Sequence, residues 1–200
     1  MSDPATLAFY EREAPKYTAS TAEMHVRHLD PFLDRLPDGA RILELGCGVG
    51  RDAARMADRG FAIDATDGAA AMVRKARERF GIKARQMRFD ELDAEAAYDA
   101  VWAHASLLHL PRADLPDAIR RIFHALKAGG WHFANFKLGD ADQADEGRDL
   151  LGRWTSLPSP EWLVGEYEGA GFRLVETERY PGKGCDGTQR DWLALTVRKP

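Results

Sequence analysis

The chain has 200 residues, 44% of them hydrophobic and 30% charged, which fits one ordinary globular domain with a proper core. Its 28 basic and 32 acidic residues leave a net charge of −4, which argues against a broad electrostatic footprint for nucleic acid. No apolar run approaches the ~20 residues that span a bilayer. The N-terminal MSDPATLAFYEREAPKY lacks the basic start and apolar core of a secretory signal. With only Cys47 and Cys185, no disulfide framework is expected, and a reducing cytoplasm is the expected compartment.

In chain order, AEMHVRHLDPFLDRL places Met24, Val26, Leu29, Phe32, Leu33 and Leu36 at helical spacing. This predicts a helix leading into the domain, kinked or split at Pro31. Residues 1–36 are thus expected to form an N-terminal helical cap on a single domain of 1–200. Pro37 to Gly39 is a turn. RILEL then reads as a buried strand and Arg51 to Arg59 as a helix closed by Gly60. FAIDAT is a second strand, followed by a helix from Ala69 to Phe80 closed by Gly81. KARQMRF is a weaker third strand and YDAVWAHA a fourth, ending near His104. Pro116 to Leu126 is a helix ending in KAGG, and WHFANFK is a fifth strand. Ala141 to Trp154 is polar and has no clear period. Pro160 to Ala170 reads as a helix stopped by Gly171. FRLVETERY and DWLALTVRK alternate as strands joined by the loop PGKGCDGTQ. Strand and helix alternating five times predict a parallel sheet with right-handed crossovers. The last two strands, with no helix between them, predict an antiparallel hairpin.

The densest stretch is ARILELGCGVGRDAARMADRG, Ala40 to Gly60. The strand carries one acid, Glu44, and runs into Gly46, Gly48 and Gly50. Glycines there let a ligand approach the main chain, and the helix that follows presents unpaired N–H groups to the same place. The second strand ends at Asp67, 67 − 46 = 21 residues after the first glycine. That is the spacing at which an acid accepts hydrogen bonds from a ribose. Glycine turn and acid together point to a nucleoside cofactor. NAD is the rival, since GVGRDA (Gly48 to Ala53) matches G-x-G-x-x-A by letters. Against it, that reading starts two residues beyond the strand. Glu44 would also set an anion near the pyrophosphate, whereas a carboxylate suits an ammonium or sulfonium group. Glu44 capping loop N–H groups is compatible with either cofactor.

The segment ILELGCGVGRDAARMADRGFAIDATDGAAAMVRKAR resembles motif I and the following acidic motif of class I S-adenosylmethionine-dependent methyltransferases. The resemblance runs from about Thr21 to the C-terminus, and AFYEREAPKYTAST is similar to the N-terminal segment of small-molecule members. GCGVGRD…RGFAIDATD is particularly similar to the tellurite-resistance and thiopurine-type branch. The resemblance implies an α/β fold, a Rossmann-like doubly wound seven-stranded sheet, mostly parallel with one antiparallel strand near the C-terminus. It implies S-adenosylmethionine as cofactor. Gly46, Cys47, Gly48 and Gly50 would line its methionine part, and Glu44 would orient its amino group. Asp67 would take the ribose hydroxyls, with Gly68 and Met72 beside the adenosine. Phe89 and Asp90 match the adenine-contacting pair. Ala103, His104 and Ala105 fall beside the reacting methyl group, and His109 follows. Arg51 departs from the commonest pattern. It either pairs with the methionine carboxylate or binds Asp52 or Glu44.

Methyl transfer is an in-line displacement with a good, neutral leaving group, so alignment matters most and a base helps where the nucleophile carries a proton. His104 and His109 are the candidates for catalysis or substrate contact, with packing as the alternative for His109. Tyr10 and Tyr17 either close over the cofactor or pack a terminal helix. Trp154, Tyr180 and Lys183 fall in the late segments where the family builds its substrate lid. Cys47 fits the loop as a small residue rather than as a nucleophile. His25 and His28 share a helix face but lack a third ligand, so no metal is expected. The Asn/Asp-Pro-Pro-aromatic motif and any long basic segment are missing from the sequence. A small-molecule methyl acceptor is therefore expected, with no nucleic acid and no membrane, and no oligomeric state is specified. The alternatives are action on protein or RNA with a partner subunit, and a catalytically inactive cofactor-binding module.

Overall fold

The computed structural model describes residues 3–20 (side chains through Ala14), 27–139 and 145–200. The elements in chain order are α1 (Pro4–Ser20), α2 (Leu29–Leu33), β1 (Arg41–Leu45), α3 (Arg51–Asp58), β2 (Ala62–Asp67), α4 (Ala70–Phe80) and β3 (Arg85–Gln86). They continue with β4 (Tyr98–Ala103), α5 (Leu115–Ala125), β5 (Leu126–Lys137), β6 (Glu146–Arg148), β7 (Trp154–Ser156), α6 (Pro160–Gly169), β8 (Arg173–Lys183) and β9 (Gln189–Arg198). Seven strands form one sheet in the order β3-β2-β1-β4-β5-β9-β8. β9 runs antiparallel to both β5 and β8, so it is the one reversed strand, as expected. β6 and β7 form a separate antiparallel ribbon.

β1 lies between β2 and β4 and is covered on both faces, which is why RILEL is almost continuously apolar. Successive residues alternate between two cores. Leu43 and Leu45 join Val101, Ile119, Ile122 and Leu163 under α5 and α6. Ile42 joins Phe32, Leu33, Met56, Trp102 and Phe133 under α2 and α3. There the Trp102 and Phe133 rings stack at 4.2 Å.

Four departures from the sequence reading have local causes. Between β3 and β4 the chain forms only a 3-10 turn at Phe89–Glu91, so strand and helix do not alternate a full five times. KAGG is not a helix end. α5 stops at Ala125, and Lys127 to Gly130 already belong to β5. The pairing register with β4 shifts there, between Tyr98 and Ala100, and the Gly129 N–H reaches the Lys199 carbonyl at 3.0 Å. The glycines thus serve a bulge rather than a cap. The loop PGKGCDGTQ is shorter than expected, because Pro181 to Lys183 and Gln189 keep pairing. The helix expected over residues 22–36 is seen as α2 at its end, and residues 21–26, including His25, lie outside the described residues.

Candidate cofactor and active site

The strand order reverses between β1 and β4, and in such sheets ligands bind outside the carboxyl ends of the strands at that point. The loop after β1 is fixed from both sides. The Gly46 and Cys47 N–H groups both donate to the Thr66 carbonyl at 2.8 Å. The Thr66 hydroxyl donates to the Glu44 carbonyl at 2.7 Å, and the Ser106 hydroxyl to the Leu45 carbonyl at 2.6 Å. Gly46 has φ +77°, and a Cβ there would lie 2.5 Å from the Ser106 Cβ. Only glycine lets the β4 loop press this closely on the turn.

Asp67 closes the loop from below. Its Oδ2 accepts from the Gly48 N–H at 2.9 Å and its Oδ1 from the Ala69 N–H at 2.8 Å. Burial outweighs these bonds and pushes its pKa up to about 6. Each oxygen keeps capacity for another donor. Glu44 is 3% exposed, and its Oε2 is buried with no partner among the described residues. Burial, with Asp52 nearby, pushes this carboxyl well above its ordinary range. A buried carboxylate oxygen left open needs a donor or a cation from outside the chain. Asp52 is already satisfied by Arg51 Nε at 2.8 Å and by the Trp102 indole at 3.1 Å. Arg51 thus pairs with Asp52 through its Nε.

Two cavities meet across this loop. The first, about 660 Å³, lies under α1 and is lined by Tyr10, Asp67, Gly68, Phe89 and His109. The second, about 1070 Å³, opens toward the β8–β9 hairpin and is lined by Glu44, Cys47, Arg51, Asn135, Tyr180 and Trp192. Gly46, Gly48, His104 and Ala105 line both.

The two histidines differ. His104 sits at the junction, stacked on Trp102 at 5.9 Å, with Nδ1 3.6 Å from Asp52 Oδ2. Burial lowers its pKa against the pull of Asp52. His109 has both nitrogens engaged. Nδ1–H donates to the Trp154 carbonyl at 2.6 Å, so Nε2 accepts the Tyr10 hydroxyl proton at 2.9 Å. The same Tyr10 oxygen accepts from Arg153 Nη1 at 2.8 Å. Burial and Arg153 push His109 down to about 4. It is a neutral link in a chain of bonds rather than a free base.

Of the other expected site residues, Gly50 starts α3 and packs on α4, where a Cβ would meet that of Ala76 at 2.8 Å. Met72 is buried with Ala14, Val49, Ala69 and Ala71, off the cavity wall. Ala103 is fully buried in the core behind Ala105. Phe89 lines the first cavity. Asp90, next to it, has a buried Oδ1 without a hydrogen bond. Arg88 Nε lies 3.3 Å from that oxygen but is not aligned to donate. Burial raises the Cys47 thiol well above its usual range, which keeps it inert. His28 pairs with Glu178 at 2.9 Å, and no metal-holding cluster of three occurs among the described residues. Tyr17's side chain is outside them. Tyr180 and Lys183 line the second cavity, whereas the Trp154 indole reaches Glu146 Oε2 at 3.3 Å. Asn135, Arg153 and Ser106 carried no local signal, because the partners that tie them to the site, Ala105, Tyr10 and Leu45, lie 30 or more residues away.

A doubly wound sheet with a glycine turn, an acid at the end of β2 and an orphaned acid in β1 defines a nucleoside-cofactor protein. Residues 42–130 match the family model described as a methyltransferase domain. The chain is 33% identical over 164 residues to an S-adenosyl-L-methionine-dependent Diels-Alderase of Neonectria sp. (strain DH2), covering 74% of this chain and 64% of the relative. It is 36% identical over 103 residues to the trans-aconitate 2-methyltransferase of Variovorax paradoxus (strain S110), covering 48% and 38%. The chain thus spans less than two thirds of these relatives' lengths. The Burkholderia thailandensis 1,6-didemethyltoxoflavin-N1-methyltransferase, solved with 1,6-didemethyltoxoflavin and S-adenosylhomocysteine, superposes with a TM-score of 0.74. That match has 22% identity and covers 100% of this chain and 91% of that one, and it shows the fold. These matches support placing the chain among the class I S-adenosylmethionine-dependent methyltransferases, with S-adenosylmethionine as the cofactor.

Proposed function

We propose that the chain transfers a methyl group from S-adenosylmethionine to a small-molecule acceptor. The observation that carries this reading is the pair of cavities meeting at Gly46, Gly48, His104 and Ala105. One side carries Asp67, and the other carries the open oxygen of Glu44. A nucleoside with a cationic amino-acid tail fits that division. Bound S-adenosylmethionine supplies an electrophilic methyl on a sulfonium with a neutral leaving group. Asp67 would hold the ribose hydroxyls, Glu44 the ammonium, and Phe89 and Asp90 the adenine. The residues of the chain then orient two partners and exclude water. α1 covers the first cavity. His104, at the junction and neutral, is the group placed to take a proton from an acceptor that carries one. His109 holds α1 instead.

The named activities of two relatives, methylation of trans-aconitate and N1-methylation of 1,6-didemethyltoxoflavin, support a small acceptor. The Diels-Alderase relative favours a second reading, in which the cofactor binds without giving up its methyl. Calorimetry with S-adenosylmethionine, S-adenosylhomocysteine and NAD tests the site, with Asp67→Ala as control. Micromolar binding of the two sulfur nucleosides, lost in the variant and not seen with NAD, is expected. Transfer of a labelled methyl group from S-adenosylmethionine to a panel of acceptors then separates the readings. Turnover without consumption of the label would sink methyl transfer while leaving the cofactor site in place.

A further inference from the structure

The cavity between the glycine loop and the β8–β9 hairpin holds donors for which the described residues provide no acceptor. Trp192 is 7% exposed, it lines this cavity, and its indole N–H is buried with no partner among the described residues. A buried donor left unmade is costly and calls for an acceptor from outside. Gly182 lies against the same indole edge, where a Cβ would fall 2.6 Å from Cδ1 and 2.7 Å from Nε1. Any side chain at 182 would displace the indole, so the bare backbone is what keeps that N–H in place. Beside it the Tyr180 hydroxyl accepts from Asn135 Nδ2 at 2.9 Å. Its own proton has no acceptor among the described residues.

The charges at this wall point the same way. Arg27 is held by Glu178 at 2.5 Å and Arg51 by Asp52 at 2.8 Å. Lys183, exposed at the mouth, has no ion pair among the described residues. Of the acids on the wall, Asp52 is satisfied within the chain, and Glu44 is assigned to the cofactor.

We infer that this cavity seats the acceptor through an anionic group of the carboxylate kind. The Trp192 N–H and the Tyr180 O–H bind that group, and Lys183 faces it from the mouth. The assignment rests on the reading that the cofactor occupies the adjoining cavity and enters this one only as far as Glu44, at the glycine-loop end, away from Trp192 and Lys183 on the hairpin.

The test uses the full chain saturated with S-adenosylhomocysteine and three probes of one shape: benzoate, benzamide and benzylamine. Calorimetry is expected to show benzoate binding at least about tenfold tighter than benzamide, and no saturable binding of benzylamine. Trp192→Phe should weaken benzoate about tenfold. Lys183→Met should weaken it about threefold, a loss that shrinks at about 0.5 M salt. Neither should alter S-adenosylhomocysteine affinity, which also reports that each variant is folded. Equal binding of benzoate and benzamide, preference for benzylamine, or no saturable benzoate binding overturns the inference. So does a folded Trp192→Phe or Lys183→Met that binds benzoate like the wild type. Failure of benzoate with S-adenosylhomocysteine bound leaves the cofactor reading standing. Failure of S-adenosylhomocysteine to bind the wild type overturns both.

Discussion

Asp67 is where sequence and chemistry meet most directly. Its two loop bonds orient the carboxylate, while burial holds its pKa at about 6. Ribose hydroxyls donate better to an ionised carboxylate, so binding selects the deprotonated form. The sign follows: cofactor affinity climbs as pH rises toward about 6 and levels off above it, with a proton released on binding below that value. Calorimetry with S-adenosylhomocysteine from pH 5 to 8 should show this inflection. Asp67→Asn should bind about tenfold weaker or worse and lose the inflection. An unchanged pH profile in the variant would assign the titration to another group. Asp67 and Glu44 were legible in the sequence because strand length and glycine spacing fix their places locally. Met72 and Ala103 lie on elements of the site with their side chains in buried clusters, and that facing depends on neighbours that spacing does not encode. His109 was legible as a polar residue near the pocket, but its role depends on Tyr10 and Trp154, 99 and 45 residues away.

The most informative element is α1. Helices in proteins draw most of their stability from tertiary packing rather than propensity, so the position of this 17-residue helix depends on tertiary ties. Arg148 pairs with Asp3 at 2.8 Å, the Trp154 N–H donates to Thr6 Oγ1 at 2.8 Å, and Tyr10 joins Arg153 and His109. The β6–β7 ribbon and its turn thus clasp the helix over the first cavity. On the other side the Ala71 N–H donates to Glu11 Oε2 at 3.0 Å. Removing the Tyr10 hydroxyl leaves two buried groups unsatisfied, a cost of roughly 1–3 kcal/mol. Tyr10→Phe should therefore speed S-adenosylhomocysteine dissociation about tenfold and change association little, as stopped-flow measurement would show. Slower association with unchanged dissociation would mean that α1 is not the clasp. The β1–α3–β2–α4 run was readable because each helix ends on a glycine. Gly60 and Gly81 both have positive φ. The β6–β7 ribbon was not readable, since two three-residue strands are too short to establish a period. KAGG misled because a glycine pair suits a helix end and a bulge equally.

At the scale of the molecule, the sheet holds a polar group where apolar ones dominate. His132 in β5 is fully buried. Its Nδ1–H donates to the Val101 carbonyl and its Nε2 accepts the Tyr167 hydroxyl proton, both at 3.0 Å. Burial pushes it down to about 4, as it does His109, against an unfolded value near 6.5. A histidine with a depressed native pKa contributes stability that is present above about pH 6.5 and lost as pH falls toward 4. A shift of this size corresponds to about 3 kcal/mol per group at most, a large share of a typical domain's ~5–15 kcal/mol. Asp67 and Glu44, whose native values are raised, oppose this in the unliganded chain, because they lose an unfavourable buried charge on acidification. Urea midpoints between pH 7 and 4.5 separate the contributions. His132→Phe should be less stable at pH 7, since it leaves the buried Tyr167 hydroxyl without its partner. It should also lose stability less steeply on acidification, so the two curves converge toward pH 4.5. A slope equal to that of the wild type would move the acid sensitivity out of β5 and onto His109, and acid would then loosen the α1 clasp before it reached the sheet.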